Sequence, residues 1–235
     1  MEKKKIRIID LAQEIYEGQP VFPPHHKTYI FQHTTFEETK RKGFRLPFQT
    51  RNLLMSEHGP THTDADAEVN PNGKTIDQEP LEKFYTSAIC LDVSRVPPKG
   101  FINKAILQEA LDKAGLDIRE GDTVLLYTGH YDRTKDDPTR YLNENPGLDM
   151  GAALWLADKG VVNVGIDASS VDNPDDPDFS VHAVCRDRPT MTNTEHLANL
   201  DKVAGKRFTY VGLPLKIRGG TASPIRPAAI LEEEE

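Results

Sequence analysis

The sequence predicts a mixed α/β fold in a single domain, residues 1–235. Three observations carry that expectation. Five segments read as strands, two helical segments each run into a strand, and no Gly/Ser-rich linker or internal repeat divides the 235 residues. The strands are taken in chain order. "IRIIDL" (Ile6–Leu11) opens the fold, followed by "SAICLDVS" (Ser87–Ser94) and "DTVLLYTG" (Asp122–Gly129). "VVNVGID" (Val161–Asp167) has the continuous apolar character of a strand covered on both faces, and "RFTYVGLPL" (Arg207–Leu215) lies near the end. The first helix spans Asn103–Ala114, where Ile106, Leu107, Ala110, Leu111 and Ala114 form a stripe that Gly115 stops. The second spans Met150–Lys159, capped by Asp149 and ended by Gly160, with Ala153, Leu154, Leu156 and Ala157 inward and Trp155 in the core. The Pro-rich pieces "VFPPHH", "VPPKG" and "DNPDDPD" read as surface turns, and "FEETKRKGFR" (Phe36–Arg45) as a solvated hairpin or excursion.

Composition narrows the function classes. The chain is 37% hydrophobic and 28% charged with net charge −8, so nucleic acid and anionic membrane are poor partners. The basic Lys3-Lys4-Lys5 is short, no apolar run reaches membrane-spanning length, and no signal-peptide pattern follows the start. Cys90 and Cys185 are too few for a disulfide framework, which points to a reducing, cytoplasmic setting.

The chemistry concentrates in "SEHGPTHTDADAE", where His58 and His62 stand four apart and Asp64 follows two later. Gly59-Pro60 between the histidines argues for a turn at or before a helix start. Two imidazoles and a carboxylate can converge on Zn²⁺ or Mn²⁺ and leave a position for water, and a cation turns the crowded acids from repulsive to attractive. Thr61 and Thr63 are placed to hydrogen-bond the ligands. The alternative is a polar loop in a chain with eight histidines. His182 and Glu195 lie in segments of mixed polarity and complete a site if the fold brings them over. "IRGGTASPIR" is glycine-rich but lacks the strand–turn–helix setting of a phosphate loop.

This stretch resembles the signature of the cyclase superfamily of metal-dependent hydrolases, H-x-G-T-H-x-D-x-P-x-H, at His58, Thr61, His62 and Asp64. The resemblance runs over most of the chain, through "IIDLAQEIYEGQPVFP", "GDTVLLYTG", "NPGLDMGAALWLADKGVVNVGIDASSVD", "TNTEHLANL" and "LPLKIRGGTASPIR". It implies a swivelling β/β/α barrel-like fold and a homodimer or homotetramer. It also implies one or two Zn²⁺ or Mn²⁺ ions: His58, His62 and Asp64 hold the first, while His182 and Glu195 serve the second or take part in catalysis. Three positions depart from the signature. Pro60 replaces its Gly, Asp66 its Pro and Glu68 its last His, while in the C-terminal segment Thr221 stands for a common Asp. Glu68 is thereby expected to act as second-site ligand or as general base, with His182 the other candidate base. The implied activity is hydrolysis of a C–N bond in an amide, arylformamide or cyclic amide. The alternatives are lactone hydrolysis, or a non-catalytic metal- or ligand-binding protein on account of Glu68. Phe22 and His130 are the expected substrate contacts, Phe44, Phe48, His25 and His26 lesser pocket candidates, and His33 and His196 structural.

Overall fold

A computed structural model describes residues 5–233. The elements are β1 Lys5–Asp10, β2 Tyr29–Thr34, α1 Phe36–Arg41, β3 Thr50–Leu54, β4 His62–Asp64, β5 Tyr85–Asp92, β6 Phe101–Ile102, α2 Lys104–Ala114, β7 Thr123–Tyr127, α3 His130–Thr134, α4 Pro138–Asn143, β8 Gly147–Leu148, α5 Met150–Asp158, β9 Asn163–Ile166, α6 Ser180–Asp187, β10 Thr192–Glu195, β11 Arg207–Val211, β12 Ala222–Pro224 and β13 Ala228–Glu233. Nine strands form a half-barrel sheet in the order β1-β13-β11-β5-β7-β9-β10-β4-β12. Its centre, β5-β7-β9-β10, is parallel, and the strands outside it pair antiparallel. Separate two-stranded ribbons join β2 to β3 and β6 to β8.

All five predicted strands and both helices are present. The continuous apolar runs are explained by cover on both faces. Alternate residues Ile89 and Leu91, Val124 and Leu126, Val164 and Ile166 join a core against Leu107 and Leu111 of α2, Leu156 of α5, and Val181 and Val184 of α6. Their neighbours Ala88, Cys90 and Leu125 pack on the opposite side with Leu11, Leu197, Phe208 and Tyr210. The caps behave as read: Asn103 and Asp149 accept from the backbone N–H groups of Ile106 and Ala152, and Gly115 takes the left-handed conformation at φ 64°. Trp155 packs half-buried against the core beneath Lys104.

Four expectations are corrected. The strand predicted to Leu215 ends at Val211, and Leu154 points outward rather than in. Within Phe36–Arg45, Phe36–Arg41 is a helix, because Thr35 and Glu38 form a reciprocal capping box that outweighs the run's charge. The His/Asp motif does not start a helix: His62–Asp64 is a buried strand inside the sheet. Among the described residues, no helix is long and apolar enough to cross a membrane.

Candidate metal centre and substrate cavity

Strand geometry assembles the first part of the site. Side chains two apart on a strand share a face, so His62 and Asp64 project together and Thr63 projects oppositely, donating to the Asn193 carbonyl at 3.0 Å. Thr61 donates to the His196 carbonyl at 2.6 Å. These threonines therefore tie β4 to β10 instead of supporting the ligands, which corrects the sequence expectation. Glu195 is the register partner of His62 across the β4–β10 pair, placing its carboxylate beside that imidazole. Glu68 arrives on a short 3-10 turn, Asp66–Glu68, and His182 on the first turn of α6.

The side-chain tips converge. His58 Nδ1 and His62 Nε2 lie 3.0 and 3.3 Å from Asp64 Oδ1. His182 Nε2 lies 3.6 Å from Asp64 Oδ2, 3.7 Å from Glu68 Oε2 and 3.9 Å from Glu195 Oε1. Glu68 Oε1 stands 3.4 Å from His58 Nδ1, and Glu195 Oε2 stands 3.6 Å from His62 Nε2. Ligands about 2.1 Å from a tetrahedral cation sit about 3.4 Å from one another, which is the spacing seen here. Among the described residues, two groups bring their ligand atoms all within 4.8 Å of one another, His58–His62–Asp64 and Asp64–His182–Glu195, with Asp64 common to both.

The outward edges of the imidazoles say the same. His62 donates from Nδ1 to the Pro60 carbonyl at 2.8 Å. His58 Nε2 lies 2.8 Å from the Thr221 hydroxyl, which itself donates to Glu57 at 2.7 Å and so accepts from the ring. His182 Nδ1 is held by Asp172. Each ring engages one N–H away from the cluster, so the inward nitrogen is the one that offers its lone pair to a cation when it gives up its proton. Asp64 Oδ1 and Glu68 Oε2 are buried without a hydrogen-bond partner. Inward lone pairs with unpartnered carboxylate oxygens make a donor set that fits a divalent cation.

The electrostatics follow from that crowding. Burial opposes charge on His62, yet Asp64 and Glu195 hold its pKa up at about 9. Burial and then Asp64 push Glu68 to about 9, and the same two causes raise Glu195. Burial alone would raise Asp64, but the surrounding imidazoles hold it well below the usual carboxylate range. Without a cation the His62 ring and the Glu68 carboxyl hold protons at neutral pH, while Asp64 does not. Metal uptake therefore displaces protons, and apparent affinity rises with pH toward 9 and falls in acid. Calorimetry of Zn²⁺ uptake between pH 6 and 8, in buffers of different ionisation enthalpy, is expected to show net proton release per ion.

Several contributors were not read from the sequence. Asp172, inside the stretch taken as a surface turn, accepts from the N–H groups of Val181 at 2.6 Å and His182 at 3.4 Å and also holds the His182 ring. It thus fixes both the start of α6 and the tautomer of a site histidine. Asp172→Asn is expected to weaken metal binding by about 10–100-fold, checked by competition with a chelating dye. Thr221 and Glu57 orient His58 in the same manner.

The cluster opens onto a cavity of about 320 Å³ whose apolar wall includes Phe22, Val69 and Phe179, with His25, Ser169, Ser170 and His196 among its polar lining. Phe22, an expected substrate contact, lines the cavity. His130, the other, does not: it is buried, donates from Nε2 to the Tyr141 carbonyl at 2.9 Å and stacks on the Tyr141 ring. His196, read as structural, does line the cavity. His25 lies beside the His58 ring, centroids 4.9 Å apart, whereas His26 is exposed and Phe44 and Phe48 pack edge-to-face on each other away from the cavity lining.

The buried His/Asp/Glu cluster thus lines a cavity with a partly apolar wall on a mixed α/β sheet, a setting that fits a divalent cation beside a small molecule. Residues 9–173 match the family described as putative cyclase, and the chain belongs to that cyclase family. The kynurenine formamidase of Salinibacter ruber is 33% identical over 223 residues, spanning 93% of this chain and 95% of its own. A predicted metal-dependent hydrolase from Bacillus stearothermophilus is 26% identical with TM-score 0.74, covering 96% of this chain and 98% of its own. Isatin hydrolase A from Labrenzia aggregata superimposes with TM-score 0.84 over 97% of this chain and 94% of its own, and at 24% identity it shows the shared fold alone.

Proposed function

We propose that the protein hydrolyses a C–N bond of an arylformamide, amide or cyclic amide, using two divalent cations held by His58, His62 and Asp64 and by Asp64, His182 and Glu195. The observation that carries this reading is the set of three imidazoles whose outward nitrogens are all engaged, around an Asp64 with one oxygen toward each ligand set. The family relatives named for formamide and isatin hydrolysis support the reaction class. The second set is richer in oxygen and suits Mn²⁺, while the first suits Zn²⁺.

When bound, the ions supply Lewis acidity toward a carbonyl oxygen and make water nucleophilic near neutral pH. The chain's own groups do the rest. Asp172 keeps the His182 Nε2 lone pair turned to the cluster. Glu68 is the general base, because its carboxylate lines the cavity beside His58 and His182, where it takes the proton of the attacking water and returns it to the leaving nitrogen. Phe22 and Phe179 flank an aromatic substrate and exclude water.

The protein works in a reducing, cytoplasmic setting, in keeping with two free, buried cysteines. It acts as a homo-oligomer. The β2–β3 ribbon supports this, since Phe31, Leu53 and Leu54 are all exposed on a two-stranded unit that needs further cover to be stable. Light scattering is expected to give at least twice the chain mass.

The reading is tested by offering the metal-loaded protein an N-formyl arylamine, a cyclic amide and an aryl lactone. Faster amide than lactone turnover supports it. The reverse order moves the activity to C–O bonds, and no turnover of any of the three makes the protein a non-catalytic binder.

A further inference from the structure

His196 occupies an unusual position. It follows Glu195 directly, its backbone is left-handed at φ 57°, and its ring lines the cavity with its centroid 5.7 Å from that of His62. A non-glycine residue held at positive φ is strained and persists where its surroundings over-determine it. Those surroundings are visible. The residue's carbonyl accepts from Thr61, and its N–H donates to the Ala168 carbonyl at 2.8 Å. Its Nδ1 lies 2.6 Å from the Tyr141 hydroxyl.

That contact sets the tautomer. The Tyr141 oxygen receives a hydrogen bond from the Gln13 side-chain amide at 2.9 Å, so its own proton is free to go to His196 Nδ1. A ring that accepts at Nδ1 is neutral and carries its proton on Nε2. Gln13 is itself anchored, its backbone N–H donating to Thr61 at 2.8 Å, and the Tyr141 ring is stacked on His130. Nε2 has no protein partner among the described residues, and with the Nδ1 edge taken up by Tyr141, the Nε2–H edge is the one left to the cavity. The chain Gln13–Tyr141–His196 therefore ends in a fixed, uncharged N–H donor beside the cluster.

We propose that His196 is a substrate-binding residue whose Nε2–H donates to an acceptor oxygen of the substrate, a carbonyl or the carboxylate formed from it, with Tyr141 as the positioning residue that fixes its tautomer. The role rests on the hydrolase reading for its reaction but not for its ligand chemistry: any occupant of this end of the cavity must present an oxygen acceptor. A neutral donor suits it, because it strengthens as negative charge develops on that oxygen and adds no like charge beside the cations.

The test uses the Zn²⁺-loaded full chain and three variants. His196→Gly removes the donor and is at ease at φ 57°. His196→Asn keeps an N–H donor and tolerates the same backbone, and Tyr141→Phe removes only the hydroxyl. Three readouts are taken: ¹⁵N NMR of the His196 ring in wild type at pH 7, the dissociation constant of benzoate as a carboxylate probe, and kcat/KM on the best substrate. The expected results are an Nε2–H tautomer, and benzoate binding and kcat/KM both lower by about 10- to 100-fold in His196→Gly at unchanged metal content. His196→Asn should recover most of that loss, and Tyr141→Phe should show a mixed tautomer with an intermediate loss. An Nδ1–H tautomer in wild type, or wild-type benzoate affinity in His196→Gly, overturns the proposal. If His196→Gly does not fold or loses metal, the wild-type tautomer and Tyr141→Phe decide. Wild-type protein that binds benzoate through His196 but turns nothing over would instead sink the hydrolase reading and leave the donor standing.

Discussion

The His62→Ala protein is expected to lose metal and turnover together. His62 sits at the centre of the sheet-borne part of the site, 3.3 Å from Asp64 and 3.6 Å from Glu195, with its Nδ1 fixed by the Pro60 carbonyl. Removing it takes one nitrogen from the first ligand set, leaves Glu195 without its nearest imidazole and takes one of three from around Asp64. The loss of activity should exceed the roughly 10–100-fold that follows when only an outer partner of a ligand is removed. Elemental analysis and kcat/KM on the same preparation check it. Retention of both metal and rate would remove His62 from the ligand set.

Glu68→Gln is expected to lower kcat by about 100- to 10,000-fold, the range for a missing general base. Thermal stability should not fall. The amide keeps the shape of the side chain, and because burial and Asp64 already hold the Glu68 carboxyl uncharged at neutral pH in the absence of metal, it replaces one neutral group by another. The pH profile separates base from bystander. Wild type should lose rate on the acid side as Glu68 takes up a proton, and Glu68→Gln should lack that limb. An unchanged rate would make Glu68 a filler of the motif position.

The pattern of what the sequence disclosed has physical causes. The central strands were legible because their apolar runs are long and covered on both faces, and α2 and α5 because Asn103, Asp149, Gly115 and Gly160 mark their ends. Strand β4 was not, since three residues of His, Thr and Asp carry no apolar alternation and become a strand only by pairing with β10 and β12. Helix α6 was hidden behind "DNPDDPD", where Asp172 reads as one more turn residue although it holds the helix start and the His182 ring. His58, His62 and Asp64 stood out by their spacing, whereas Glu68, His182 and Glu195 were joined to them only by the family resemblance, and the fold brings the tips together. Side chains that act through another residue were not legible. Thr221 and Tyr141 are ordinary polar residues far along the chain from the histidines they orient, and Glu57, although next to His58, acts on it only through Thr221, which tertiary contact brings over. His130 and His196 exchanged expected places for the same reason: the histidine after a strand end supports Tyr141, while the one beside Glu195 reaches the cavity.

The account stands most directly on metal content per chain, measured by elemental mass spectrometry on protein purified without a chelating tag and again after dialysis against Zn²⁺ or Mn²⁺. It predicts up to two divalent ions per chain after loading, with His58, His62 and Asp64 retaining one more tightly than the other. No bound ion, before or after loading, would contradict it and leave the converging imidazoles and carboxylates without the charge that their geometry is built to meet.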